Sequence, residues 1–308
     1  MFAARSESKS ASRIWRALPA ASWLIEAGDE EPLAAEVPAL KIGGSNADYG
    51  YSSELEPVAC ASTNNRCPYP RGKIMGGSSS INGMWYARGS RNDYDEWANL
   101  TGDPDWSYQT VLPYFKKSED LRVKKILEKH PEAHGTGGYQ VVDYFSYDDD
   151  NSNLIFNSFP DMGLKEVDYT SGDDMIGVSK LLRTTVHGSR QSSNGAFIRP
   201  IRSKRKNLTI LSKAKVTKII IDPETKRVEG VIYNRRGWIE YVGAKKEVIL
   251  SAGAIDSPKL LMLSGIGPAD VLKESKNSLI HELPVGSNLQ DHVNVQGFQF
   301  NLTSRAYR

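Results

Sequence analysis

The chain has 308 residues, 39% hydrophobic and 25% charged, which suffices for packed domains and argues against wholesale disorder. Lysine plus arginine (39) nearly balances aspartate plus glutamate (37), so the net charge of +2 gives no general pull toward nucleic acid or a membrane surface. No run approaches the roughly 18 apolar residues that a membrane-crossing helix needs, and the basic run 199–206, without interleaved aromatics, reads as a solvated loop.

The first twelve residues are polar and hold no apolar block of a secretory leader. A short apolar run at 23–25 reads as a strand that leads into Glu26 and Gly28. Cys60 and Cys67 are the only cysteines and lie in a loop containing Ser, Asn and Pro. They read either as two free thiols or as a short disulfide closed in an oxidising compartment. Ser107 is placed to cap a helix whose Val111, Leu112, Tyr114 and Phe115 share one face, with Lys116 and Lys117 in its last turn. A strand is expected at 138–142 and a loop or domain crossing at 147–153. Between 208 and 250 the pattern predicts short strands at 208–211, 216–221, 228–233, 239–242 and 248–250, with turns at 222–225 and 235–237. A last helix is expected from Pro258 to about Ser264, with Ser257 as its cap and Gly265 as its terminator. Mixed strands and helices point to an α/β or α+β architecture. Asn-Leu-Thr triplets at Asn99, Asn207 and Asn301 are N-glycosylation acceptors if the chain is secreted.

Three segments carry chemistry. In a dinucleotide-binding βαβ unit, an acid at the end of the second strand accepts hydrogen bonds from the adenosine ribose, and Glu26 fits that position. The glycine-rich phosphate loop that would precede it is not found: residues 1–22 contain no glycine, and the clusters at 135–138 and 265–267 have the wrong spacing. Ser10 to Ile14 reads as the middle of the helix that follows such a loop. The chain is therefore expected to begin inside the βαβ unit, with unrelated or altered first ten residues.

The second segment is Arg71-Gly72-Lys73-Ile74-Met75-Gly76-Gly77-Ser78-Ser79-Ser80-Ile81-Asn82-Gly83-Met84. Its glycines let backbone approach a ligand with N–H groups facing it, and its serines and Asn82 add polar partners. The interleaved Ile and Met distinguish it from a flexible linker. In the third, a strand at 248–250 runs into the small-residue turn Ser251-Ala252-Gly253-Ala254, where a ligand can pack closely, and then into a helix.

The second and third segments together resemble the two signature regions of the glucose–methanol–choline oxidoreductase family. Asp93-Tyr94-Asp95-Glu96-Trp97, Trp106-Ser107-Tyr108, the stretch 111–119 and Gly286-Ser287-Asn288-Leu289-Gln290-Asp291-His292 also look like the family. The likeness runs from about Ser12 onward, and the loop holding Cys60 and Cys67 looks most like the insect glucose dehydrogenase branch. This resemblance implies an α/β fold: an FAD-binding Rossmann-like domain (1–130 and 180–290) with part of an α+β substrate-binding domain (131–179 and 291–308), incomplete at both ends.

It implies FAD as cofactor and hydride transfer to the flavin from a CH–OH group of an alcohol or sugar. By motif position, Glu26 holds the adenosine ribose. Gly76, Gly77, Ser78, Asn82 and Gly83 line the pyrophosphate, ribitol and flavin. Val216 reaches adenine through its backbone, and Ala252 lies beside it. The family's catalytic histidine belongs to a region beyond Arg308, so no catalytic base is assigned among the five histidines. His292 is expected to be structural, and His130, His134, His187 and His281 to sit in exposed polar segments without a role. No metal ligands are assigned. The expected partners are a small alcohol or sugar and an unidentified electron acceptor, with no nucleic acid. The sequons and cysteine pair imply an extracellular full-length parent. The fragment is expected to be inactive alone and marginally stable or aggregation-prone. The alternative is a truncated, non-catalytic binding protein of the same family.

Overall fold

The structure, a computed structural model, describes residues 2–6, 21–40, 42–145, 147 and 149–292. The chain divides into two compact units. The first holds the described residues of 1–31, 43–78 and 201–296, and the second those of 32–42 and 79–200. These units differ in extent from the ligand-based division expected above. The helix expected around Ser10–Ile14, the sequon at Asn301 and most of 291–308 lie outside the described residues.

In the first unit, β1 (Phe2–Ser6), β2 (Ala21–Ile25), β3 (Leu208–Leu211) and β7 (Val248–Leu250) form a sheet in the order β7-β1-β2-β3. β2 and β3 are parallel, with Ser22 opposite Leu208 and Ile25 opposite Leu211. β1, which the sequence reading does not contain, runs antiparallel to both of its neighbours. Between β3 and β7 the chain forms an antiparallel meander, β4 (Ala214–Ile221), β5 (Val228–Arg235) and β6 (Trp238–Gly243).

The turns of the meander follow from their residues. Asp222 Oδ1 accepts from the N–H groups of Glu224 (3.0 Å) and Thr225 (2.7 Å), a side-chain mimic of a turn. Arg236 (φ 54°) and Gly237 (φ 89°) both adopt the left-handed conformation that matches the twist of a tight hairpin. In β4, Ala214 and Val216 point into the core and Lys215 outward. The register then slips between Val216 and Lys218, so Thr217 and Lys218 are both exposed and Ile219 returns to the core.

The core gathers Ile25, Ala214, Val216, Ile219, Val231, Tyr233 and Leu260, so both sheets and the following helix share one apolar interior. Fully burying an aliphatic side chain of this size contributes about 1.5–3 kcal/mol. That helix, α1 (Gly253–Leu263), begins a turn earlier than its Ser-Pro sequence suggests. Gly253 at φ 94° swings the chain into it, Pro258 falls inside it, and the Ser257 hydroxyl accepts from Ala252 N–H (3.1 Å) in place of the expected capping role. At its far end the buried Ser264 hydroxyl accepts from Ile219 N–H (2.8 Å), tying α1 to β4 just past the bulge.

Cys60 and Cys67 form a disulfide, with Cys60, Asn64 and Asn65 all at positive φ in the loop it closes. The ring spans a sequence separation of 7. Loop-closure entropy for so short a ring is about 2 kcal/mol. Cys60→Ser is accordingly expected to lower unfolding stability by about that amount. Urea titrations of the variant and of the reduced native chain should coincide; a variant as stable as the oxidised chain contradicts the assignment.

The second unit carries the helices Arg91–Thr101 and Tyr108–Ser118. The first opens on a reciprocal capping box between Ser90 and Asp93, and Ser107 precedes the second as expected, without a side-chain capping bond. The strand expected at 138–142 appears as Gln140–Val142, parallel to Glu119–Leu121. The expected loop at 147–153 instead runs into a helix at Asp150–Ser158, because Asp149 accepts from Asn151 N–H (2.9 Å) and caps it. Leu121, Val123, Ile126, Val142 and Leu182 form this unit's core.

Candidate functional site

The end of β2 is held by backbone. Glu26 N–H donates to Leu211 O (2.8 Å), Ala214 N–H to Glu26 O (2.9 Å), and Lys213 N–H to Gly28 O (2.7 Å). Glu26 is 6% exposed, and its Oε1 accepts from Gly28 N–H at 2.8 Å. Burial pushes this carboxyl above its ordinary range and nearby Asp256 adds repulsion, partly offset by the Gly28 bond. A carboxylate kept at a strand end against its desolvation cost gains from further hydrogen-bond donors, the chemistry that ribose hydroxyls offer.

The first signature docks on this strand end. Asp29 bridges Ile74 in parallel fashion, and Met75 N–H donates to Asp29 O (2.8 Å). A Cβ on Gly28 would lie 2.0 Å from Lys73 O, so only glycine permits this approach. The loop then closes on itself. A Cβ on Gly72 would lie 2.2 Å from Gly77 O, and Ser78 Oγ accepts from Gly72 N–H (3.1 Å). Gly76 (φ 95°) and Gly77 (φ 59°) are left-handed, and a Cβ on Gly77 would meet nothing within 4 Å. The glycine turn therefore leaves open space where a side chain would stand.

Val216 is buried beside the slipped register of β4, and Ala252 is half-buried at the start of α1. One feature of this unit escapes a sequence reading. Tyr49 and Tyr51 stack in parallel (centroids 5.2 Å apart, planes 4° apart), Tyr51 Oη donates to Asp256 (2.8 Å), and Lys259 pairs with Asp256 (3.4 Å). Burial, with Asp256 and Glu26 adding to it, pushes the Tyr49 phenol far above its ordinary range, which ties this cluster to Glu26. The available signal was the acid and lysine of α1 at i and i+3; nothing local linked them to residues 49–51.

The signature's remainder belongs to the second unit. Asn82 Oδ1 accepts from Met84 N–H (3.0 Å) and from Arg190 Nη1 (2.8 Å), and Arg190 also donates to the Asn82 and Ser79 carbonyls. Gly83 O accepts from Arg183 Nη1 at 2.6 Å. Ser79 Oγ accepts from Ser193 N–H (2.9 Å). The glycine- and serine-rich segment is thus braced by Arg183, Arg190 and Ser193.

His134 corrects an expectation: it is 4% exposed, not on the surface. Its Nδ1 faces Glu119 (3.2 Å) and its Nε2 faces Asp168 (2.7 Å), while Arg88 pairs with Glu119 at 2.5 Å. Among the described residues no group of three or more His, Cys, Asp or Glu is arranged to hold a metal, and no helix is long and apolar enough to cross a membrane.

Comparison with known proteins converges on one family. The GMC oxidoreductase profile matches residues 52–294. Glucose dehydrogenase [FAD, quinone] of Drosophila melanogaster is 44% identical over 275 residues, covering 88% of this chain and 43% of that protein. Ecdysone oxidase of Spodoptera littoralis is 37% identical over 282 residues, covering 89% and 46%. Among solved structures, pyridoxine 4-oxidase from Mesorbium loti superposes with a TM-score of 0.76 at 29% identity, covering 85% of this chain and 50% of that one. The chain spans about half the length of the curated relatives it matches. With the strand-end acid, the docked glycine loop and the small-residue turn in their expected order, the chain belongs to the glucose–methanol–choline (GMC) oxidoreductase family.

Proposed function

We propose that this chain is the FAD-holding part of an oxidoreductase that acts on the CH–OH group of an alcohol or sugar. The observation that carries the proposal is the docking of 73–75 on the Glu26–Asp29 strand end, with a left-handed glycine turn opening beside it. FAD, when bound, supplies the hydride acceptor. Glu26 binds the adenosine ribose through its carboxylate. Gly76 and Gly77 are assigned to the pyrophosphate by motif position: Gly77 N–H closes the turn on Ile74 O (2.8 Å), the side its Cβ would occupy is open, and Ser78 holds the turn closed through Gly72. Val216 and Ala252 flank the adenine, and Asn82 and Gly83 are assigned to the ribitol and flavin by motif position. No residue of this chain is assigned as the proton-accepting base. The names of relatives include both a quinone-type and an oxygen-type acceptor. The disulfide and the sequons favour an extracellular setting.

Glu26→Gln tests the ribose assignment. A charge-assisted hydrogen bond contributes about 1.5–3 kcal/mol, so FAD affinity should fall about 10- to 100-fold. Calorimetric titration of the complete gene product reads this directly. Unchanged affinity in a folded variant removes Glu26 from the site.

A further inference from the structure

We propose that Asn99 carries an N-linked glycan, and that of the two described sequons it is Asn99 and not Asn207 that the fold favours. Both read Asn-Leu-Thr. Asn99 lies in the last turn of the helix Arg91–Thr101, which Gly102 ends in a left-handed conformation (φ 68°), and Asn99, Leu100 and Thr101 are all exposed. Only one terminal turn, held by bonds such as Thr101 Oγ1 to Trp97 O (2.7 Å), must open for the triplet to be read in extended form. A helix end is where such opening costs least.

Asn207 is placed differently. It is half-buried, its carbonyl accepts from Ser22 N–H (2.8 Å), and its Oδ1 accepts from Arg205 Nε (3.5 Å) at the entry of β3 into the parallel sheet. Freeing that triplet would have to release the Asn207 carbonyl from Ser22 N–H, the bond at which β3 enters its parallel pairing with β2.

Two independent observations support modification at the helix end. The Cys60–Cys67 disulfide is formed, and such bonds persist in the compartment that also holds the glycosylation machinery. The segment around Asn99 also exposes apolar surface that a glycan would shade: Leu100 is 76% exposed and Trp97 49%, with Trp97 edge-on to Trp106 at 6.1 Å. In the transfer, a bond forms between Asn99 Nδ2 and the reducing-end carbon of a lipid-pyrophosphate-linked oligosaccharide. The carbon–oxygen bond to the pyrophosphate breaks, the lipid pyrophosphate leaves, and Nδ2 gives up a proton. No electrons are transferred.

This inference rests on the extracellular setting proposed above, not on flavin binding. The complete gene product is expressed in insect cells and recovered from the medium, and its peptides are mapped before and after treatment with the peptide N-glycosidase. The expected result is conversion of Asn99 to Asp on release of the glycan. Asn99→Gln and Thr101→Ala should abolish modification of that peptide, and Thr101→Ser should retain it. Secreted protein whose Asn99 is unmodified, or whose glycan sits on Asn207 alone, overturns the proposal. A product retained unglycosylated in the cytosol overturns both it and the extracellular setting, while flavin absorbance reports on the cofactor reading separately.

Discussion

Gly28→Ala is expected to destabilise the first unit by about 3 kcal/mol and to lower FAD affinity with it, the upper range for forcing atoms into a packed site. The reason is local. The new methyl would sit 2.0 Å from Lys73 O and 2.2 Å from Ile74 N, both backbone atoms that cannot rotate away. Relief requires the first signature to leave the strand end, breaking the Met75–Asp29 hydrogen bond and the Asp29–Ile74 bridge. Gly77→Ala provides the contrast. Its methyl meets open space, so only the left-handed backbone is penalised, at about 1 kcal/mol. That methyl would nonetheless project where the nucleotide is proposed to lie. Urea unfolding with and without FAD separates the two: Gly28→Ala should lose stability in both conditions, and Gly77→Ala mainly the increment that FAD adds. Equal behaviour of the two variants contradicts this account of the loop.

The second large effect belongs to the buried chain Arg88–Glu119–His134–Asp168. All four side chains are nearly excluded from solvent. Both ring nitrogens of His134 face carboxylates, so both must donate, and the imidazolium makes the quartet neutral overall. Burial alone would push the His134 pKa down; its bonds to Asp168 and Glu119 outweigh that and raise it. Burial likewise opposes ionisation of Glu119 and Asp168, yet their bonds to His134, with the Arg88 charge on Glu119, hold both below the usual carboxylate range, Asp168 at about 2.

The pH dependence follows. For His134, whose folded value is raised, the contribution is full below the unfolded pKa of about 6.5 and disappears as pH climbs through the folded value. For the two acids, whose folded values are lowered, it is full above about 4 and disappears as pH falls through those values. Stability of the second unit should therefore be highest between these limits and fall on both sides. Glu119→Gln leaves Arg88 and His134 without their shared acid and should cost about 3–5 kcal/mol. It should also flatten the alkaline limb. Urea titrations across pH test this, and an alkaline limb unchanged in Glu119→Gln rules out the coupling.

What the sequence reveals and what it hides divide along physical lines. The strands of the meander are legible because each is β-branched, bounded by turn formers and locally determined: Asp222 and Gly237 act within three residues of themselves. The glycines of 71–84 are legible as a pattern, whereas the reason Gly28 at the strand end must be glycine lies 45 residues away at Lys73. The start of α1 misleads because Ser257-Pro258 is a strong helix-opening signal, and only the left-handed Gly253 reveals the earlier entry. His134 misleads for a different reason. Its neighbours are polar, so hydropathy places it in water, while its burial is compensated by Glu119 and Asp168, separated from it by 15 and 34 residues. Charge compensation is a pairwise, long-range property, and no local average contains it.

The most direct measurement is the visible absorption of the complete gene product, purified after expression with flavin supplementation. The account predicts a yellow protein with one FAD per chain, a complex that NAD does not displace and that Glu26→Gln weakens. A folded product that remains colourless, or that takes up NAD instead, contradicts the claim that the strand-end acid and the glycine turn together hold a flavin nucleotide.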